Sequence, residues 1–342
     1  MIGADGDTLT GEDEAVPKRR RSRPRRWLRR AGVTVVTLAV AGTLFSFIYN
    51  AATSARARPP AGLAYVPAGD LMTRYRVWGS AGSPIVLVHG AAESADTWQR
   101  LATTLARDHR VYALDLNGAG YTRRRAPYTL DHQVRQLLAF LDAMRLDRPV
   151  LVAHSAGAAT AAEAVLRAPG RAGGLMFLDG DALKGGAGPG PAVRYIVVPP
   201  YRTTLLRLAV RSDWLIRKIY SSQCGPACPR LDAAGVEVWR RPYQVPGAET
   251  GVWGSLRYGV PGLSEARLIR LREVALPKAV VYGAQDHVFS ASSAVETARH
   301  IGAPPPTLIP GARHLTMISS PAEVARLVEA LAARRLDPSA PG

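Results

Sequence analysis

The sequence predicts an α/β fold: a mostly parallel eight-stranded sheet with helices on both faces, interrupted by one long insertion and preceded by one transmembrane helix. Three observations predict it. From Ala61 onward, short apolar runs alternate with amphipathic stretches, the pattern of a sheet covered on two faces. Between Leu178 and Ala279 that alternation gives way to an insertion rich in tyrosine and tryptophan. Ahead of both, Ala31 to Tyr49 contains no charged residue.

The N-terminal elements come first. Met1 to Val16 is polar and acidic, with Asp5, Asp7, Glu12, Asp13 and Glu14, and Lys18 to Arg30 is densely basic. Neither part shows apolar periodicity, so residues 1–30 are expected to be a disordered tail. Residues 31–50 read as a helix; at ~1.5 Å per residue it nearly spans a hydrocarbon core of ~30 Å. Trp27 and Tyr49 flank it, where interfacial aromatics belong. The basic flank predicts a signal anchor with a cytoplasmic N-terminus and an extracytoplasmic C-terminal part, because the far side offers only Arg56 and Arg58 nearby. A cleaved signal peptide has a weak site at Ala55-Arg56-Ala57 and would give a secreted protein. The apolar run exceeds the usual ~7–15 residues of such a peptide, which favours the anchor. A twin-arginine signal around Arg25-Arg26-Trp27-Leu28 matches only loosely.

The folded part follows. Strands are expected over Leu63–Val66, Thr73–Trp78, Ile85–Val88, Val111–Leu114, Val150–Ala153, Leu175–Leu178, Ala279–Tyr282 and Thr307–Ile309. Helices are expected over Trp98–Arg107, Leu130–Met144, Ala156–Arg167, Ser293–Ile301 and Pro321–Arg334, with Leu137, Leu138, Leu141 and Met144 as core at helical spacing. The organisation is therefore a core in two parts, 61–182 and 276–336, an insertion over 183–275, and a tail at 337–342. A glycine-rich stretch from Gly185 to Gly190 lacks the spacing of a phosphate loop and reads as a hinge.

Charge and cysteine narrow the class. Of a net charge of +17, +6 lies in residues 1–60 and +11 is spread over the rest. No nucleic-acid-binding motif accompanies it, so no nucleic acid partner is expected; anionic lipid headgroups are the simpler partner for the juxtamembrane block. There is no H-E-x-x-H pattern and there are too few cysteines for a zinc cluster, so no metal and no cofactor are expected. Cys224 and Cys228 flank a Gly-Pro turn that a small-loop disulfide fits, favoured outside the cytoplasm.

The chemistry concentrates around Ser155. The run Val150-Leu151-Val152-Ala153-His154-Ser155-Ala156-Gly157 is a buried strand, a sharp turn with serine at its tip, and the start of a helix. Such a turn needs small neighbours, here Ala153 and Gly157. Downstream, the strand Lys278 to Gly283 leads to a loop bearing Asp286, and Gly311-Ala312-Arg313-His314 follows another strand. A serine hydroxyl is a poor nucleophile at neutral pH; an imidazole must take its proton, and a carboxylate must orient that imidazole. His287 adjoins Asp286 and competes poorly as the base, while His89 and His154 fit structural or pocket-lining roles. Pro84 to Ala92 is a strand running into a His-Gly turn.

On these residues, with Asp96-Thr97-Trp98 and Asp115-Leu116-Asn117-Gly118-Ala119-Gly120, the chain from about Leu63 to Leu336 resembles the α/β-hydrolase superfamily, in its esterase- or lipase-like serine-hydrolase branch. Alanine at 153 departs from the G-x-S-x-G form of the turn. The resemblance implies the α/β-hydrolase fold, Ser155 as nucleophile, His314 as base and Asp286 as acid. It leaves Asp179 and Asp181 as alternative acids, since some members place the acid after the preceding strand. It implies an oxyanion hole from the amides of Ala91 and Ala156, and makes the insertion at 183–275 a helical cap over the active site. An aromatic cap points to a small-molecule substrate with an apolar acyl or alkyl group. Serine rather than aspartate at the turn implies acyl transfer on an ester, thioester or amide, with C–C hydrolysis and perhydrolysis also open. A cell-surface binding protein on this scaffold is the non-catalytic alternative.

Overall fold

The computed structural model describes residues 23–54, 56–185 and 198–336. Two units are distinguished, the chain to Tyr49 and the chain from Asn50. Most of the first is helix α1 (Arg23–Ala52), which runs on into the second. Its Arg26–Ala52 portion is long and apolar enough to cross a membrane, a property that N-terminal signal segments share. Val33, Leu38 and Phe47 on it are more than half exposed. The helix begins within the basic run, so the flank from Arg23 is helical where a disordered tail was expected. Arginine and leucine are good helix formers, and the apolar stretch behind them supplies the nucleus.

In the second unit the elements run β1 (Ala64–Ala68), β2 (Leu71–Trp78), β3 (Ser83–Val88), α2 (Gln99–Leu105), β4 (His109–Leu114), α3 (Leu130–Ala143), β5 (Val150–His154), α4 (Gly157–Arg167) and β6 (Gly174–Leu178). Next come α5 (Tyr201–Arg211), α6 (Asp213–Cys224), α7 (Ala233–Arg240), α8 (Ala248–Tyr258) and α9 (Glu265–Ile269). The chain closes with β7 (Lys278–Gly283), α10 (Ala291–Ile301), β8 (Thr307–Ile309), α11 (Thr316–Ser319) and α12 (Pro321–Leu336). The eight strands form one sheet in the order β1-β2-β4-β3-β5-β6-β7-β8. β1 and β2 pair antiparallel, as do β2 and β4; every other pair is parallel.

The strands β3, β5 and β6 carry unbroken apolar runs because both their faces are covered. On one face Val86, Leu151 and Phe177 share a core with Leu137 and Phe140 of α3 and Ala158 of α4. On the other, Leu87, Val152 and Met176 share a core with Leu101 of α2 and Val328 and Leu331 of α12. Register then does the positioning. Val88 lies opposite Ala153, and His154 opposite Leu178. The loops leaving β3, β5 and β6 therefore emerge at one level, at the carboxyl edge where open α/β sheets bind ligands.

Most element ends shift from expectation by one or two residues, and two boundaries differ for a structural reason. The helix expected from Trp98 opens as a 3-10 turn at Ala95, because Ser94 and Thr97 cap each other's backbone there. The cap expected to reach 275 ends earlier. Leu183 bridges Leu263, closing its stem, and Leu268 and Leu271 beyond it are fully buried in the core. Leu268 of α9 and Leu271 of the 3-10 turn after it share that core with Ala158 of α4 and Ala294 and Ala298 of α10, so this segment covers the core rather than the site. The hinge expected at Gly185–Gly190 lies, apart from Gly185, outside the described residues, as does Tyr195. Cys224 and Cys228 are joined by a disulfide, their Cα atoms 5.8 Å apart.

Candidate active site

Ser155 sits between the end of β5 and the start of α4 with φ +50°, a left-handed conformation a side-chain-bearing residue adopts at a cost. Its surroundings hold it there. Its N–H donates to Leu178 O at 3.0 Å, and its carbonyl accepts from Ala158 N at 3.0 Å. Close packing permits no bulk beside it. A Cβ on Gly157 would lie 2.5 Å from His89 O, and one on Gly180 would lie 2.5 Å from Ser155 O. Gly157 belongs to the expected turn. Gly180 comes from the loop after β6, so it is invisible to any local pattern around the serine.

The structure brings His314 and Asp286 to this serine. His314 Nε2 lies 3.1 Å from Ser155 Oγ, and its Nδ1 lies 2.8 Å from Asp286 Oδ2. The Asp286 side chain is fully buried, and its other oxygen accepts from Val288 N at 2.7 Å. A carboxylate held by a backbone amide and a ring nitrogen cannot swing, so the ring plane is set for Ser155.

The alternative acids are placed elsewhere. Asp179 is fully buried, accepting from Gly283 N at 2.7 Å and bonded to the Thr316 hydroxyl at 2.5 Å. Its nearest imidazole is that of His154, 4.0 Å away. Burial pushes its carboxyl up to about 8, against the pull of His154, and a carboxyl that resists ionising is poorly suited to stabilise an imidazolium. Asp181 accepts from Leu183 N at 2.9 Å, and burial raises it too. The physical reason is spatial: the loop after β6 turns Asp179 under the sheet edge, whereas the loop after β7 reaches His314.

The His-Gly turn after β3 is fixed by its own histidine. Leu116 N donates to His89 Nε2 at 2.9 Å, so Nδ1 carries the proton and donates to Gly90 O at 2.7 Å. Across the planar trans peptide this turns the Ala91 N–H the opposite way. Outside helices and strands, the amides of Ala91 and Ala156 donate to no carbonyl among the described residues, and both residues border the cavities.

Beneath this lies a feature the sequence did not disclose. His154 and Glu93 are buried, with Nδ1 and Oε1 2.8 Å apart but out of line for a hydrogen bond, an ion contact. Burial alone would lower the His154 imidazolium; the Glu93 carboxylate overrides it and pushes the group up to about 9. Burial likewise opposes the Glu93 charge, and the His154 cation holds that carboxyl below its ordinary range. The pair touches both halves of the site. Glu93 Oε2 accepts from Gly90 N at 3.0 Å, and His154 Nε2 donates to His314 O at 2.8 Å. A histidine on a fully buried strand calls for a partner; which acid answers is decided by the fold.

A cavity of about 400 Å³ opens over Ser155 and His314, lined by Leu206, Val210, Leu215, Ile216, Tyr220 and Trp239 from the cap. A second, of about 250 Å³, lies on the Ala156 side and does not include Ser155; Asn117, Arg124 and Gln133 make it more polar. Tyr243 borders both, its hydroxyl donating to Ala92 O at 2.9 Å. The lining is apolar, but the aromatic residues of the cap supply only part of it. Trp214 and Tyr258 point outward, and aliphatic side chains of α5 and α6 do most of the lining.

Fold and site together define a hydrolase of α/β architecture. Residues 85–327 match the alpha/beta hydrolase family, and the chain belongs to that family. The 2-hydroxy-6-oxo-6-(2'-aminophenyl)hexa-2,4-dienoic acid hydrolase of Metapseudomonas resinovorans is 41% identical over 101 residues, 28% of this chain and 34% of that protein. The 2-hydroxy-6-oxo-2,4-heptadienoate hydrolase of Pseudomonas putida is 36% identical over 118 residues, 33% of this chain and 42% of that one. The chain therefore matches less than half the length of these curated relatives. A solved membrane phospholipase A, described as a bacterial virulence factor, superposes with a TM-score of 0.65 at 21% identity, over 92% of this chain and 99% of that one. At that identity the likeness speaks for the fold.

Proposed function

We propose that the protein is a membrane-anchored serine hydrolase that cleaves a carboxylic ester or related acyl substrate with an apolar group. The observation that carries the reading is the Asp286–His314–Ser155 chain of contacts, at 2.8 and 3.1 Å, on the floor of an apolar cavity. In the proposed cycle Ser155 Oγ attacks the acyl carbon while His314 Nε2 takes its proton. Asp286 stabilises the imidazolium, and the amides of Ala91 and Ala156 receive the oxyanion, at roughly 3 kcal/mol per donor. His314 then gives the proton to the leaving group, and the acyl-enzyme forms. Water, deprotonated by His314, releases the acid and restores Ser155. A fluorophosphonate probe tests this: labelling of the wild type, absent in Ser155→Ala, is expected. A wild type that does not label overturns it.

A second reading, C–C bond hydrolysis on the same residues, is favoured by the two dienoate hydrolases among the relatives. Turnover across p-nitrophenyl esters of varied chain length, set beside turnover of a 2-hydroxy-6-oxo-dienoate, separates the two. The anchor reading is supported by the length and composition of α1 and by its basic flank. We expect the protein in the membrane fraction with its catalytic part accessible from the extracytoplasmic side; a mature chain beginning near Pro59 in the medium would overturn this.

A further inference from the structure

The cap is apolar on two sides. α5 and α6 turn Leu206, Val210, Leu215 and Ile216 toward the cavity over Ser155. On their outer side Leu205, Leu208 and Trp214 stand 55%, 42% and 66% exposed. Ile219 and Val288 belong to both sets: each lines the cavity and each is at least half exposed, so they mark its mouth. A surface helix normally presents a polar face to water, and one that is apolar on both sides needs a second apolar neighbour. Charge says which kind. Residues 198–224 carry Arg202, Arg207, Arg211, Arg217 and Lys218 against Asp213; Arg207 is turned inward to Glu249, which leaves four cations to one acid along the two helices. Asp213 is itself paired with Arg240 and Arg217, and Lys218 Nζ sits 4.7 Å above the Trp214 ring. Tryptophan and leucine edged by cations is the composition of a surface that lies in a lipid headgroup layer.

A separate observation brings this surface to a bilayer. The last turn of α1, from Asn50 on, belongs to the second unit and is bonded to α5. Asn50 Nδ2 donates to Pro200 O at 3.0 Å, and the Thr204 hydroxyl donates to Asn50 Oδ1 at 3.1 Å. Arg207 donates to Asn50 O at 2.6 Å and to the Thr53 hydroxyl at 3.1 Å, while Glu249 accepts from both Arg207 and Arg56. Asn50 follows Tyr49 in the chain, so a bilayer crossed by the preceding residues has Asn50 at its surface. The cap helix clamped to Asn50 is then at that surface as well.

We infer that α5 and α6 dock on the bilayer holding the anchor, with Leu205, Leu208 and Trp214 among the acyl chains and the cations on anionic headgroups. The cavity mouth at Ile219 and Val288 then opens onto lipid. The substrate class is an acyl lipid of that membrane, which reaches Ser155 without passing through water. The choice of substrate rests on the serine-hydrolase reading; the docking does not.

The test uses the full chain in vesicles of phosphatidylcholine with phosphatidylglycerol. With brominated acyl chains, the wild type is expected to lose an emission component that Trp214→Phe lacks in either lipid. A Leu205→Asp, Leu208→Asp double variant should keep wild-type fluorophosphonate labelling and wild-type turnover of a soluble short-chain ester. Its hydrolysis of a fluorogenic phosphatidylcholine dispersed in the vesicles should fall about tenfold or more, because each aspartate forfeits the burial of an apolar side chain. Unquenched Trp214 overturns the docking, as it would if another protein covered the patch. Wild-type hydrolysis of the dispersed lipid by the double variant overturns the entry route. A wild type that fails to label sinks the catalytic reading instead, and the quenching result still decides the docking.

Discussion

Glu93→Gln removes one charge from beneath the site while keeping the shape of the side chain and an oxygen for the Gly90 amide. In the wild type the His154 imidazolium is held at about 9 against an ordinary 6.5, and Glu93 lies below its ordinary 4.5. The signs follow from linkage. The histidine is raised on folding, so its contribution is complete below pH 6.5 and is lost as pH rises through 9. The glutamate is depressed on folding, so its contribution is present above pH 4.5 and is lost as pH falls through its lower folded value. The pair is therefore at full strength between those limits. At ~1.4 kcal/mol per pH unit, the rise in His154 corresponds to roughly 3 kcal/mol of stability between pH 6.5 and 9. Without the carboxylate, burial makes His154 neutral, and that slope disappears. Urea unfolding of the detergent-solubilised full chain, followed by tryptophan emission at half-unit pH steps, measures both curves. We expect the wild type to lose about 3 kcal/mol relative to the variant between pH 6.5 and about pH 10. Parallel curves, or a variant whose stability still falls through pH 9 by the same amount, would show that His154 does not carry the charge assigned to it.

Asp286→Asn should lower kcat by about a thousandfold or more with KM little changed, since the imidazole loses the partner that orients it. Asp179→Asn, measured in the same ester assay, should leave kcat within about tenfold of wild type, because that carboxyl bonds Gly283 and Thr316 rather than His314. Gly180→Ala puts a methyl 2.5 Å from Ser155 O. Displacing the serine by a fraction of an ångström should cost about a hundredfold in kcat, read against an active-site titration. Reducing the Cys224–Cys228 bond opens a loop so short that it should lower stability by at most about 2 kcal/mol, measured as the shift in urea midpoint at constant slope.

The sequence by itself determined the parts whose cause is local. The alternation of apolar runs set the sheet and its helices, because burial on two faces leaves a continuous signature in each strand. Ser155 was legible from its own neighbours, since a strand-to-helix turn with a left-handed tip tolerates only certain residues beside it. His314 and Asp286 were legible from their place after two strands. What the tertiary structure decided is every choice between residues distant in sequence. Asp286 rather than Asp179 meets His314 because of where two loops point, and Gly180 backs Ser155 because β5 and β6 are in register. Glu93 meets His154 because the turn after β3 folds over the end of β5. The lining of the cap followed the same rule. Its composition suggested an apolar pocket without saying which residues line it; a helix sends neighbouring residues to opposite sides, so Trp214 faces outward and Leu206 and Ile216 line the cavity. Composition says what a segment contains. Only the packing of its helices says which of those side chains a substrate meets.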